Sequence, residues 1–372
     1  MDASELVLMC LFFTMRYFEL FSGIGGFRQA INLLSKDRNI EMECAGFAEI
    51  DPYARDIYKS YFKPGVNEAE IANIIPYRER LSAGLSIPVF PGKKPVLLDM
   101  GSIDLLVGDV PCERYNDDMG LLNEVLWVLD VCNPEFVLLE APKNITTFDK
   151  GNSMQTIVSS LTELGYYCFF TLLDAAEYGI PQTRKKVYIF GSKTHVPYNF
   201  DFCNQFVKDA FWDSECNSTF KYKTIHDILE TPDSRSACWI NPSSLNFIFA
   251  TEYNGKRLYP SINLDPIMSI KPGASKMLRA NADNYFSKEF VESKGVENAA
   301  IGKTPEDWKK LEVRRLTIKE SVLFQGFNEI FNKCVERRYA PDTVLYKVIG
   351  SSTCVNTAYA ALNYIAKLLN WK

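Results

Sequence analysis

The residue best placed for covalent chemistry in this chain is a cysteine. Cys112 follows the apolar run Ile103-Asp-Leu-Leu-Val107, which Gly108 and Pro111 close. Such a run reads as a buried strand of a parallel sheet ending in a turn. In open α/β sheets ligands sit just beyond the carboxyl ends of the strands. A thiol placed there is exposed and able to ionise to the nucleophilic thiolate. A free cysteine is also commonly a buried core residue, so position alone leaves both readings open. Three other groups carry chemistry. Ser22-Gly-Ile-Gly-Gly-Phe27 lies between a strand candidate, Tyr17–Phe21, and a helix from about Arg28 to Ser35. Glycines there let the backbone approach a ligand, and the helix N-terminus supplies free N–H groups. The spacing is GxGG and not the full dinucleotide GxGxxG, so the signal for a dinucleotide is weak. Glu49-Ile50-Asp51 closes the next apolar strand, Cys44–Ala48, where an acid can grip ribose hydroxyls. Asp51-Pro52 equally starts a helix running to Tyr61, so Asp51 can cap while Glu49 binds. Glu140 ends the run Phe136-Val-Leu-Leu, and Arg184, Lys185 and Lys186 lie in a polar turn before the strand ending at Phe190.

The elements that must position these groups alternate in type. Helical periodicity covers 119–131 and 152–164, with strands at 136–140 and 168–173. Strands alternating with helices to residue 192 predict a parallel, doubly wound α/β sheet. Residues 64–100 hold five prolines and read as an insertion before the Cys112 strand. From 196 to 310 the periodicity is weak and the texture that of irregular strands and loops. A helix is expected over 314–326, with Thr317 as N-cap and Glu320 at N3. The chain then runs through Tyr346–Thr353 into an amphipathic helix, Val355–Leu369, whose apolar face needs a partner. That helix is expected to return beside the first strand.

Composition excludes several classes. The chain of 372 residues is 47% hydrophobic, enough for a large core and against disorder on a domain scale. A net charge of −5 argues against a generally basic nucleic-acid protein, while leaving room for one basic cleft. Ten cysteines without a CxxC pair, and only two histidines, argue against structural zinc and for a reducing compartment. No apolar run reaches membrane-spanning length. Residues 6–13 resemble a signal core but follow Asp2 and Glu5 in place of basic residues. Residues 1–14 read as an extension, or as an extra helix over a sheet face.

Taken in order, these pieces resemble the DNA (cytosine-5)-methyltransferases, especially the compact bacterial restriction-modification enzymes. Phe21-Ser-Gly-Ile-Gly-Gly26 looks like the S-adenosylmethionine motif, and Glu49-Ile50-Asp51 like the one on the cofactor ribose. Pro111-Cys112 looks like the catalytic Pro-Cys, and Glu140 like the Glu of Glu-Asn-Val, with Lys143-Asn144-Ile145 after it. Gln182-Thr-Arg184-Lys-Lys186 looks like Gln-x-Arg-x-Arg. Arg315-Leu-Thr with Gln325-Gly-Phe327, and Gly350-Ser-Ser352, look like the last two motifs.

The resemblance implies a Rossmann-like S-adenosylmethionine-dependent methyltransferase sheet with a smaller irregular target-recognition domain. The domains would be an extension over 1–14, a catalytic domain over 15–195, target recognition over 196–311 and a returning part over 312–372. Cys112 would attack C6 of a flipped cytosine in double-stranded DNA, with Glu140 on N3 and Arg184 and Lys186 holding the base and the thiolate. Phe21, Ser22, Gly23, Ile24, Gly25, Gly26, Glu49, Ile50, Pro111 and Ser351 would line the S-adenosylmethionine site. No metal or membrane is implied; the location is cytoplasmic, and a cognate restriction endonuclease is the expected partner. The chain departs from the family at Glu113, where Gln is expected, and at Ala141, Lys186 and Ser351. Its stretch from Cys112 to Pro134 is about ten residues shorter than the family pattern. Those departures keep two alternatives in view: a catalytically impaired homologue serving as a DNA-binding or partner subunit, and a tRNA cytosine-5 methyltransferase. A dinucleotide oxidoreductase is disfavoured by GxGG and by the Pro-Cys strand end.

Overall fold

The computed structural model describes residues 14–65, 69–71, 101–110, 120–198, 200–214, 224–233, 236–273 with short gaps, 283–293, 311–336 and 340–371. The expected extension over 1–14, most of 64–100, and Pro111 to Met119 lie outside the described residues, apart from Thr14, Pro64, Gly65 and the strand at 69–71. The order in the first half is β1 (Met15–Leu20), α1 (Gly26–Arg38), β2 (Met42–Ala48), α2 (Pro52–Phe62), β3 (Ala69–Ile71) and β4 (Leu105–Asp109). There follow α3 (Gly120–Cys132), β5 (Phe136–Pro142), α4 (Asn152–Glu163), β6 (Tyr167–Asp174), β7 (Gln182–Thr183) and β8 (Lys185–Ser192). β3 falls within the stretch read as an insertion and adds a strand beside β2.

Seven strands form one sheet in the order β3-β2-β1-β4-β5-β8-β6. β3, β2, β1, β4 and β5 are parallel, whereas β8 runs antiparallel to both neighbours. The expectation of a parallel sheet therefore fails at one strand. The link from β6 to β8 carries only a 3₁₀ turn and β7, too short for the helical crossover that parallel strands need. Each central strand is buried on both faces. Tyr17, Leu105, Val107, Leu138 and Phe190 point to the core shared with α1, and Phe18, Leu106, Val137, Leu139 and Ile189 to the core under α3 and α4.

After β8 come α5 (Asn204–Trp212), short strands β9 (Glu252–Tyr253), β10 (Lys256–Arg257), β11 (Ile267–Met268) and β12 (Tyr285–Ser287), and α6 (Lys288–Glu292). The chain closes with β13 (Val313–Arg315), α7 (Ile318–Phe324), α8 (Glu329–Glu336), α9 (Asp342–Ser351) and α10 (Val355–Leu369). The helix expected over 314–326 begins later, because Val313–Arg315 pairs antiparallel with β12. Its cap is as expected: Thr317 and Glu320 form a capping box. The Glu320 carboxylate also pairs with the Arg314 guanidinium at 2.8 Å, both side chains being fully buried.

α10 lies against α1 and α5. It is not amphipathic in place: every residue from Val355 to Ala366 is buried. Its polar residues find partners, which is what permits that burial. Asn356 donates to the Tyr178 carbonyl, Asn363 donates to the Ala210 carbonyl and accepts from Arg38, and Tyr359 donates to Asp37.

Candidate active site

The register aligns the carboxyl ends of four strands. Leu20 stands opposite Ala48 on one side and Gly108 on the other, and Asp109 stands opposite Glu140. The loops after β2, β1, β4 and β5 therefore open on one edge. Chain order reverses between β1 and β4, which is where open α/β sheets bind ligands.

At β1 the chain turns sharply. Phe21 takes φ 53°, a left-handed conformation that costs a non-glycine residue energy and tends to mark a functional turn. The Ser22 amide donates to the Ala48 carbonyl at 2.9 Å, tying the loop to β2. Gly23 has φ +56° and open space where a Cβ would stand. Ile24 is fully buried, so only its backbone faces the loop. Gly25 and Gly26 lead into α1, and a Cβ on Gly26 would meet the Thr353 carbonyl oxygen at 2.4 Å. The segment before α10 thus braces the glycine loop from behind.

Glu49 ties this loop to the end of β2. Its Oε2 accepts from the Gly23 amide and its Oε1 from the Asp51 amide, each at 2.7 Å. Burial raises its carboxyl above the usual range, and those two amides oppose the shift. Asp51 caps α2 by accepting from the amides of Tyr53 and Ala54, and it pairs with Lys347 of α9 at 2.9 Å. Ile50 is 67% exposed, an apolar surface beside the carboxylate. Ser22 Oγ is buried without a hydrogen-bond partner. An open glycine, a braced carboxylate, an exposed apolar side chain and an unpaired hydroxyl together fit a nucleoside with a vicinal diol. Ser351 lies farther along, exposed at the end of α9, its hydroxyl turned back on the Lys347 and Val348 carbonyls.

The second cluster lies on β4, β5 and β8. Lys186 Nζ pairs with Glu140 Oε1 at 2.5 Å and with Asp109 Oδ1 at 3.8 Å. Tyr188 donates to Glu140 Oε2 at 2.8 Å and shares a hydrogen bond with Thr357 of α10 at 2.8 Å. The Val110 amide donates to the Glu140 carbonyl at 2.7 Å, fixing the chain two residues before Cys112. Pro111, Cys112 and Glu113 themselves lie outside the described residues. Asp109, Tyr188 and Thr357 carried no role in the sequence reading. Asp109 was legible as a second acid at a strand end; the others were not, because their partners are remote in sequence.

Arg184 and Gln182 act as a bracket. The Arg184 guanidinium donates to the Ser352, Ile270 and Gly350 carbonyls and to Ser269 Oγ, at 2.7 to 3.4 Å. Gln182 donates to the Phe324 carbonyl and accepts from the Ile270 amide. Side chains from the Gln-x-Arg-x-Lys stretch thus stitch residues 269–270 and the ends of α7 and α9 to the sheet. Cys132 and Cys168 have thiols that burial pushes up, Cys132 to about 11. Among the described residues no group of three or more His, Cys, Asp or Glu could hold a metal ion, and no helix is long and apolar enough to cross a membrane.

Comparison with known proteins agrees with this layout. The chain is 31% identical over 237 residues to the type II methyltransferase M.BanI of Aneurinibacillus aneurinilyticus, covering 60% of this chain and 50% of that enzyme. It therefore spans about half the length of this relative. The type II methyltransferase M.HaeII of Haemophilus aegyptius aligns at 25% identity over 95% of this chain and 93% of its own. Among solved structures, the Dnmt2 methyltransferase of S. pombe superposes with a TM-score of 0.69 at 18% identity, covering 96% of this chain and all of that one. That likeness shows a shared fold. Residues 15–367 match the model of the C-5 cytosine-specific DNA methylases, and the chain belongs to that family.

Proposed function

We propose that the protein transfers a methyl group from S-adenosylmethionine to C5 of cytosine in double-stranded DNA. The observation that carries the reading is the common edge. It holds the Gly23–Glu49 loop and the Glu140–Lys186 pair on either side of the β4 end that leads to Cys112. Gly23, Glu49 and Ile50 would hold the cofactor, Glu49 by its hydroxyls and Ile50 against its base. The cofactor supplies an electrophilic methyl group. Cys112 would add as thiolate to C6 of a flipped cytosine, making C5 nucleophilic. Glu140, with Lys186 on one oxygen, would give a proton to N3 as negative charge develops on the ring. Tyr188 holds the other oxygen and fixes the direction in which the carboxyl points. Arg184 would act from behind the pocket by fixing the turn that carries Lys186. The region 196–311 would select the target sequence.

The test is trapping on DNA carrying 5-fluorocytosine, in which fluorine blocks the elimination that frees the enzyme. With S-adenosylmethionine present, the unmutated protein should give a covalent band under denaturing conditions. Cys112→Ser should lose it, while Cys132→Ala and Cys168→Ala keep it. Tritiated methyl transfer to DNA, with tRNA in a parallel arm, assigns the substrate. Transfer to tRNA alone, or a trap that survives Cys112→Ser, would overturn the proposal. No transfer to either, with cofactor bound, would assign the chain to the non-catalytic homologues.

A further inference from the structure

Asp109 is the group in this site that the proposed chemistry leaves without a task. It ends β4, directly opposite Glu140 in register, three residues before Cys112. Lys186 faces both carboxyls, and its ammonium lies nearer Glu140. The whole cluster is set into a sheet whose neighbouring residues, Val107, Val110, Leu139, Ala141 and Val187, are buried and apolar. A single ammonium between two carboxyls in such surroundings favours retention of one proton by the carboxyls, because two like charges at close range resist joint ionisation. Glu140 lies 2.5 Å from the ammonium and accepts from Tyr188, whereas Asp109 stands 3.8 Å from the ammonium. The carboxyl farther from the ammonium, Asp109, is the one placed to keep that proton.

We propose that Asp109 is the proton store of this pocket, acting through Lys186 without touching the substrate. The inference rests on the methyltransferase reading. Lys186 Nζ hands a proton to Glu140 Oε1 and takes one from Asp109, so it begins and ends as an ammonium. Glu140 then meets cytosine N3 as an acid, and Asp109 is left as the carboxylate. When the ring regains aromaticity N3 returns its proton to Glu140, and the same path refills Asp109. The first gap is 2.5 Å; the second, 3.8 Å, is an ion-pair distance that the flexible lysine stem can shorten.

Burial holds the Asp109 carboxyl above the usual range; Lys186 opposes the shift, Glu140 adds to it, and Arg184 opposes it more weakly. Burial works against the Lys186 charge, but Asp109 and Glu140 outweigh it and raise the ammonium above the ordinary lysine value. From α10 and the turn before it, Cys354 and Thr357 face Arg184, Glu140 and Tyr188. On β1, Glu19 accepts from the Tyr58 hydroxyl and the Arg28 amide.

The test is a titration of the full chain labelled with carboxyl-¹³C aspartate, followed by NMR. One aspartate should titrate more than one pH unit above the ordinary value of about 4. That signal should vanish in Asp109→Asn, move down in Glu140→Gln and move up in Lys186→Met. If every aspartate of the unmutated protein titrates in the ordinary range, the proposal fails. Methyl transfer gives the second readout. Asp109→Asn should lower kcat several-fold on the basic side of the pH profile, recover as pH falls, and leave the KM for DNA unchanged. A loss of the same size at every pH would mean that Asp109 only props the strand end, and would also overturn the proposal. A raised Asp109 carboxyl in a protein that transfers no methyl group supports the store and sinks the methyltransferase reading alone. An ordinary carboxyl in an active enzyme sinks the store alone.

Discussion

Replacing Glu49 by Gln probes the cofactor pocket most directly. A carboxylate offers about four lone-pair sites. In this structure the amides of Gly23 and Asp51 take one on each oxygen, and the Ile50 amide also faces the carboxylate. What remains can accept from a ribose hydroxyl. Gln keeps one acceptor oxygen and turns an NH₂ toward an amide that needs an acceptor. One ribose hydroxyl and one backbone N–H then lose a charged partner. A hydrogen bond to a charged group contributes about 1.5–3 kcal/mol. At 1.4 kcal/mol per decade, the lost ribose bond alone predicts affinity for S-adenosylmethionine about 10- to 100-fold weaker. Titration calorimetry measures this, with circular dichroism to confirm the fold. The pH dependence has a defined sign. Burial raises the Glu49 carboxyl, so protonation on the acid side removes the acceptors at a higher pH than an exposed glutamate would show. Wild-type affinity should fall as pH drops through that raised value, and Glu49→Gln should lack this limb. Binding by Glu49→Gln within about twofold of wild type would refute the geometry argued for the pocket.

Three further predictions concern stability. Glu320→Ala leaves the Arg314 guanidinium buried and unpaired, and should cost about 3–5 kcal/mol in urea unfolding; a loss below about 1 kcal/mol would show that the pair is dispensable. Burial holds Glu19 at about 8 against an ordinary 4.5, so its contribution is fully present below pH 4.5 and lost as pH rises through 8. Glu19→Gln should flatten that part of the stability profile, and an unchanged slope would place the titration elsewhere. Gly26→Ala drives a Cβ to 2.4 Å from the Thr353 carbonyl and should destabilise the fold by about 1–3 kcal/mol, whereas a rise in melting temperature would contradict the close approach.

Local signals explain which parts of this structure the chain disclosed in advance. β1, α1, β2 and α2 follow one another with a glycine turn and an Asp-Pro cap between them, and they lie where periodicity places them. The Thr317–Glu320 capping box was readable because it is complete within four residues. The direction of β8 was not, since an apolar run carries no sign of its polarity in a sheet. α9 was hidden because Asp342–Ser351 mixes buried and exposed residues around a Gly350 that touches Lys271 and Pro272. The site divides in the same way. Glu49 and Glu140 stand at strand ends and could be found singly. That Lys186 joins Glu140 to Asp109, and that Arg184 faces backbone carbonyls, depends on contacts between distant segments, which no local pattern records.

The position of α10 has a consequence for how the molecule is made. Arg38 of α1 bonds to Asn363 of α10 across 325 residues of sequence, and Asp37 to Tyr359 across 322. The part of α1 that α10 covers therefore stays open throughout synthesis until α10 leaves the ribosome. Contacts of such long range are formed late and slow the search for the native state. The nascent chain passes through a long interval in which that part of α1 is an adhesive surface. A cell that makes this protein must shield that surface, and any message broken before the codons for Val355–Leu369 should yield chains that aggregate.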